Sequence, residues 1–172
     1  LNALHLLSWE GYLFTSPDSA YHFAQLQADF AKEKGLEKYI AKALNTQGAS
    51  FAIRNMQDSA IGYYKRSMRH HKKAGYKKGV ASVLNNVGNI YYNKGEYDSA
   101  LVNYTESLQL LIELKSSKGV AQTSGNIGNI YKDRGDYSNA IDYYSKSLNA
   151  SESLKDSTGI GNALNYMGIV FN

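Results

Sequence analysis

The sequence predicts an all-α fold, an α-solenoid of antiparallel helix pairs about four and a half repeats long. Three observations carry this. The stretch NNVGNIYYNKGEYDSALVNYTESL, residues 85–108, returns as GNIGNIYKDRGDYSNAIDYYSKSL, residues 125–148, at an offset of 40 with 11 of 24 positions identical. Within each copy the stripe residues Leu84, Val87 and Tyr91 are spaced by three and four, as are Leu44, Gln47 and Phe51. That spacing is a helical period and not the alternation of a strand. Finally, Gly95 and Gly135 interrupt each copy midway, where glycine suits the left-handed residue just past a helix end.

The elements follow in order. Helices are expected at about residues 2–14 and 17–34, 37–54 and 57–74, 77–94 and 97–115, 118–134 and 137–155, and from 159 onward. They form one array with repeats at 1–38, 39–78, 79–118 and 119–158, and half a repeat at 159–172. The chain starts at Leu1 and stops within a repeat, so it is expected to be a fragment of a longer protein. Asp98 with Ser99, and Ser138 with Asn139, are expected to supply acceptors for first-turn amides. Glycine inside a helix costs about 1 kcal/mol against alanine. Gly88, Gly128 and Gly168 nevertheless recur, which calls for close approach of a neighbouring helix. Ala100 and Ala140 are expected to face them, with the bulky residues at the Tyr91 and Tyr104 positions filling the space around.

These words resemble the tetratricopeptide repeat, whose pattern is Trp-x2-Leu-Gly-x2-Tyr, then Ala-x3-Phe, then Pro. The third unit reads Leu84, Val87, Gly88, Tyr91, Ala100 and Tyr104; the fourth reads Ser124, Ile127, Gly128, Tyr131, Ala140 and Tyr144. The second has Leu44, Gln47, Gly48, Phe51, Ala60 and Tyr64. The first is worn, with Ser8, Gly11 and Ala24 at three of the places, and the fifth is half a unit carrying Leu164, Met167, Gly168 and Phe171. The period is 40 rather than the common 34, and the closing proline is absent throughout. The chain in this respect resembles the 40-residue variants of bacterial signalling proteins and animal polarity adaptors.

The resemblance implies a right-handed superhelix whose first helices line a concave groove. Its groove positions fall here on Asn2, His5, Trp9 and Tyr12; Lys42, Asn45, Ala49 and Ala52; Ser82, Asn85, Asn89 and Tyr92; Gln122, Gly125, Asn129 and Lys132; and Asn162, Asn165 and Ile169. Asn45, Asn85, Asn89, Tyr92, Asn129, Lys132 and Asn165 are the expected peptide-binding residues. An asparagine amide both donates to and accepts from a peptide backbone. The alternative for Asn89 and Asn129 is bonding to neighbouring helices. The family's carboxylate clamp is not expected, because Lys42 and Lys132 stand two units apart with no cation between.

Composition narrows the function classes. With 43% hydrophobic and 20% charged residues the chain can build a core. There is no cysteine, which excludes thiol chemistry and Cys-ligated zinc and leaves the compartment open, periplasm or cytoplasm. No apolar run is long enough to insert in a membrane. The net charge of +4 is concentrated in residues 39–78, which hold nine Lys and Arg against one Asp. There Lys65, Arg66, Arg69, Lys72, Lys73, Lys77 and Lys78 form either a solvated face or an attraction for an acidic partner, a phosphate surface or an anionic membrane. No nucleic-acid motif accompanies them. His70 and His71 have no companion at metal spacing, and GIGNALNYMG follows a helix where a dinucleotide fingerprint follows a strand. RGD at 134–136 occupies the repeat turn, and the sequons at Asn103 and Asn149 are short patterns expected by chance. No catalytic grouping, cofactor or metal site is expected. The expected function is a non-enzymatic interaction module for a protein or peptide, the sensory or scaffold segment of a bacterial signalling protein such as a histidine kinase or transcription regulator. The alternative is a spacer or homo-oligomerising unit, with Leu164, Met167 and Phe171 as an exposed edge.

Overall fold

A computed structural model of the chain describes residues 1–171. Among them every regular element is helical: α1 (Asn2–Leu6), a π-helical turn (Leu7–Gly11), α2 (Pro17–Glu33), α3 (Glu37–Ile53), α4 (Gln57–Lys73), α5 (Lys77–Asn93), α6 (Tyr97–Glu113), α7 (Ser117–Asp133), α8 (Tyr137–Ser153) and α9 (Ser157–Phe171). This is the predicted all-α fold of the solenoid class. Contacts divide the chain into two compact units, Leu1–Ile90 and Tyr91–Asn172. In the first, α2 packs on α3 and α3 on α4; in the second, α6 packs on α7, α7 on α8 and α8 on α9.

The repeat is finer than the 40-residue period. The seven helix ends from α2 to α8 carry a left-handed residue, at 35, 55, 75, 95, 115, 135 and 155, one every 20 residues. In each, the next amide reaches back to the last turn, as Leu36 N to Ala31 O (2.9 Å), Glu96 N to Tyr91 O (2.9 Å) and Asp156 N to Ser151 O (3.0 Å). This is the 6→1 bond that closes a Schellman motif. Four of the seven are glycine, but Asn55, Lys115 and Lys155 hold φ of 59°, 51° and 54°. A left-handed conformation costs an ordinary residue about 1–2 kcal/mol, and glycine returns part of that as chain entropy. Lys115→Gly is therefore expected to raise stability by about 0.5–1 kcal/mol in urea denaturation.

The first predicted helix departs most from expectation. It was expected over residues 2–14, yet α1 ends at Leu6 and a π-helical turn follows, closed by Tyr12 N to Leu7 O at 3.0 Å. Gly11 stands where later repeats place Phe51 or Tyr91, so the anchor that seats the end of that helix is missing. Leu13, 1% exposed, is buried from beyond the turn instead.

The capping expectation is also corrected. The residue that caps α8 is Asp136, whose Oδ1 accepts from Asn139 N at 3.2 Å, and not Ser138. At α6 the cap position is Glu96 and makes no side-chain cap bond, while Asp98 accepts from Arg134 at 2.5 Å. Arg54 and Asp18 make the same pair 80 residues earlier, at 2.6 Å. Both aspartates are exposed, so each pair contributes at most about 1 kcal/mol.

The predicted close approach is present at Gly128, with Tyr144 rather than Ala140 as the neighbour, and Gly48 shows the same packing. A Cβ on Gly48 would stand 2.7 Å from the Tyr64 ring and 3.3 Å from the Ala60 carbonyl oxygen; one on Gly128 would stand 2.6 Å from the Tyr144 ring. The tyrosine of the second helix, more than its alanine, demands the glycine. Around Gly168 the space is open. A second glycine row went unrecognised in the sequence. Gly79 and Gly159 meet His71 and Ser151, each at 2.5 Å for an added Cβ, and Gly119 meets Leu111. At the corresponding place in the first repeat the sizes are reversed, with small Ala31 buried and Tyr39 packed beside it.

Buried hydroxyls lock the pairs. Ser67 Oγ donates to Ala41 O at 2.7 Å, and Ser147 Oγ to Ala121 O at 2.8 Å. Gln27 Nε2 reaches Leu1 O at 3.1 Å in the same register. Each satisfies a buried polar group that would otherwise cost about 1–3 kcal/mol.

Candidate functional site

Two cavities occupy equivalent places in the 80-residue register, one in each unit. In the second unit a cavity of about 350 Å³ opens between α7 and α9, with α8 behind it. Gln122, Asn126, Asn129, Asn162 and Tyr166 contribute from the two flanking helices, with Ser151 on α8. The room exists because both members of the Ser151–Gly159 pair are small, where the same pair is Leu111 with Gly119 one repeat earlier. Ser147 Oγ is tied to the Ala121 carbonyl, but the Oγ of Ser151, 1% exposed, is buried with no partner. Asp156 accepts from Gly159 N at 3.1 Å at the start of α9.

In the first unit a cavity of about 240 Å³ is lined by His5, Trp9, Lys42, His71, Tyr76 and Lys78, with Asn45, Gly79 and Ser82. His71 is 3% exposed, and the Nδ1 atoms of both His5 and His71 are buried without a partner. Burial first, and the nearby Lys42 charge second, bring the imidazoles of His5 and His71 down to about 4. Burial and the Lys38 charge also lower Lys42. The Lys38 ammonium lies 4.3 Å from the Tyr76 ring centroid, a cation–π arrangement.

The sequence-predicted residues distribute as follows. Asn45, nearly buried, lines the first cavity and accepts from Asn86 Nδ2 at 3.1 Å. Asn129 lines the second and accepts from the Tyr144 hydroxyl at 2.8 Å, which holds the pair α7–α8 together. Tyr92 and Lys132 converge on one carboxylate: the Tyr92 hydroxyl donates to Asp133 Oδ2 at 2.6 Å, and Lys132 Nζ stands 3.2 Å from Asp133 Oδ1. Burial, and after it the Asp133 carboxylate, push the Tyr92 phenol up. Asn85 is buried, Asn89 half-buried, and neither is free; Asn165 is exposed. Ser151, His71 and Gly159 were missed as lining residues. The recurrence of Gly79, Gly119 and Gly159 at 40-residue spacing was the signal that could have found them.

The basic residues Lys65, Arg66, Arg69, Lys72, Lys73, Lys77 and Lys78 are all exposed. His70 and Lys73 both bond to Glu37, at 2.5 Å each. Among the described residues no three His, Asp or Glu side chains group as a metal site. No helix there is long and apolar enough to cross a membrane.

Paired helices, glycine–tyrosine packing and polar-lined gaps between successive first helices define a helical-repeat fold, the kind used for protein–protein interaction. Residues 79–153 match the family model described as tetratricopeptide repeat, and the resemblance read from the sequence is borne out. No curated protein matches the chain. Among solved structures it is similar to Aspartyl phosphate phosphatase F from Bacillus subtilis, at 14% identity and TM-score 0.91 over 97% of this chain and 44% of that one. It is also similar to a Rap protein complexed with Competence and Sporulation Factor, at 15% identity and TM-score 0.86 over 98% and 50% of the two chains. A third is BtubC from P. vanneervenii, at 17% identity and TM-score 0.71 over 99% and 78%. At these identities the likeness is one of fold. The chain spans about half the length of the first and the Rap protein.

Proposed function

We propose that this chain is a non-enzymatic interaction module that holds a peptide or helix of a partner protein along the face of its first helices, within a bacterial signalling or regulatory protein. The observation that carries this reading is the pair of polar-lined cavities recurring at one register position, each fed by groove positions of the first helices. A structural gap would be filled by apolar side chains, as Leu111 fills the place beside Gly119. The signalling context leans on the fold shared with a Bacillus subtilis phosphatase and with a Rap protein complexed with Competence and Sporulation Factor. Asn45, Asn85, Asn89, Tyr92, Asn129, Lys132 and Asn165 remain the proposed contact residues. Gln122 and Asn162 join them, because both line the second cavity and are exposed.

A peptide array probed with the whole chain tests this. Gln122→Ala together with Asn162→Ala is expected to weaken the best binder about tenfold while the helical circular dichroism stays unchanged. Unchanged affinity on the intact fold refutes groove binding. Self-association is the second reading, favoured by Leu164 and Ile169, which are 52% and 53% exposed on α9. Concentration-dependent sedimentation without peptide binding is the result that would establish it.

A further inference from the structure

We infer that the outward face of α4 docks an acidic segment of a partner protein, whose Asp and Glu side chains bridge the cations of Lys65, Arg66, Arg69 and Lys72. The surface uses none of the first-helix residues of the peptide-binding reading and goes beyond it.

The helix itself shows what its cations take. Glu37, at the start of α3, places one carboxylate oxygen against His70 Nδ1 and the other against Lys73 Nζ, at 2.5 Å each. One carboxylate thus spans two side chains three residues apart on α4. Arg66 with Arg69, and Arg69 with Lys72, repeat that spacing, and Lys65 with Arg69 stands one residue wider. Side chains three and four apart on a helix are neighbours, with Cβ atoms about 5–6 Å from one another. Yet Lys65, Arg69 and Lys72 are exposed and reach no acidic side chain among the described residues. The Arg66 guanidinium lies 5.2 Å from the Tyr63 ring centroid, which steadies it and leaves its N–H groups to donate.

Neither helix stability nor the repeat accounts for this stripe. Like charges four apart, as Lys65 with Arg69 and Arg69 with Lys73, oppose helix formation. The helix dipole favours cations only in the last turn, which holds Lys72 and Lys73 but not Lys65, Arg66 or Arg69. The neighbouring repeats provide an internal control. At the same five positions α6 has Thr105, Glu106, Gln109, Ile112 and Glu113, while α2 and α8 have one cation each, Lys32 and Lys146.

The chemistry favours a protein over other polyanions. Apart from Asp58, the exposed side chains of α4 are its five outward cations, so none is apolar and able to enter a bilayer. From Lys65 to Lys73 the stripe runs about 12 Å, little more than two turns of a partner helix. Arg66 and Arg69 present paired N–H groups in the fork that matches a carboxylate.

The test is fluorescence anisotropy on the whole chain, with vesicle flotation for the lipid arm. The probes are a capped helical peptide with Glu repeating at three and four residues, its Gln counterpart, phosphatidylserine–phosphatidylcholine vesicles and a single-stranded oligonucleotide. The Glu peptide is expected to bind, to bind about tenfold more tightly than the Gln peptide, and to weaken about tenfold from about 50 to about 300 mM salt. Arg69→Gln together with Lys72→Gln is expected to lose about tenfold with the helical circular dichroism unchanged. Lys146→Gln on α8, and Gln122→Ala with Asn162→Ala, are expected to leave this binding as it is. Equal binding of the Gln peptide, indifference to Arg69→Gln with Lys72→Gln, or tighter binding of the vesicles or the oligonucleotide than of the Glu peptide overturns the proposal. If array peptides still depend on Gln122 and Asn162 while the Glu peptide fails on α4, the module reading stands and this inference alone is lost.

Discussion

Tyr144→Ala is expected to remove about 3–5 kcal/mol of stability, the range for deleting a large buried aromatic. Tyr144 is fully buried, stacks on Tyr166 at 5.4 Å between ring centroids, and donates to Asn129 at 2.8 Å. Its ring also fills the space left by Gly128. A domain of this size is held by roughly 5–15 kcal/mol, so the loss is a large share. It should appear in urea denaturation, and hydrogen exchange should show it first in α7, α8 and α9. Tyr144→Phe keeps the ring and loses only the hydroxyl bond, at about 1 kcal/mol.

The same pair yields a change of sign. In the native background Gly128→Ala drives a Cβ to 2.6 Å from the Tyr144 ring and is expected to destabilise by about 1–3 kcal/mol. In the Tyr144→Ala background that clash is gone. The alanine then contributes only its better helix propensity, about 1 kcal/mol, and becomes stabilising. Additive effects in the double-mutant cycle would show that the glycine row does not exist for the tyrosine row.

The second large effect is on pH. His71 is almost fully buried and its imidazole is held down to about 4, from an ordinary 6.5, by burial and then by Lys42, His70 and Lys38. Between those two values the unfolded chain binds a proton that the folded chain refuses. Stability is therefore intact above about pH 6.5, falls as pH drops toward 4, and levels off below. The cost from His71 is about 3 kcal/mol. His5 acts in the same direction from a less buried position. Glu37 is lowered by its bonds to His70 and then Lys73, so its contribution is full above the ordinary carboxylate range and is lost as pH falls through that range and below it. His71→Leu is expected to flatten the upper window selectively, as read by thermal unfolding at pH 7, 6, 5 and 4. An unchanged slope would mean that His71 titrates normally in the folded chain.

The fold was legible because glycine, alanine and tyrosine recur at fixed places and each constrains a close contact. The helix limits at α3 through α8 follow from that recurrence. What escaped was local. The π-helical turn replaces the end of the first helix because Gly11 removes an anchor, and a single missing side chain leaves no periodic trace. The caps were misassigned by two residues or more, since Asp136 and Ser138 are both good cap formers and only the turn geometry selects between them. The left-handed Lys115 and Lys155 were invisible because lysine gives no hint of positive φ. The candidate site was half legible. Family positions placed Asn45 and Asn129 at the two cavities. The second cavity arises because Ser151 and Gly159 are both small, which only contact reveals.

The most direct test of the binding face is amide NMR mapping of the whole chain with the strongest array peptide. Binding along the first helices predicts shifts at Gln122, Asn126, Asn162 and Tyr166, with the outward residues of α8, such as Asp142 and Lys146, unmoved. Shifts confined to the exposed faces of the second helices would contradict it.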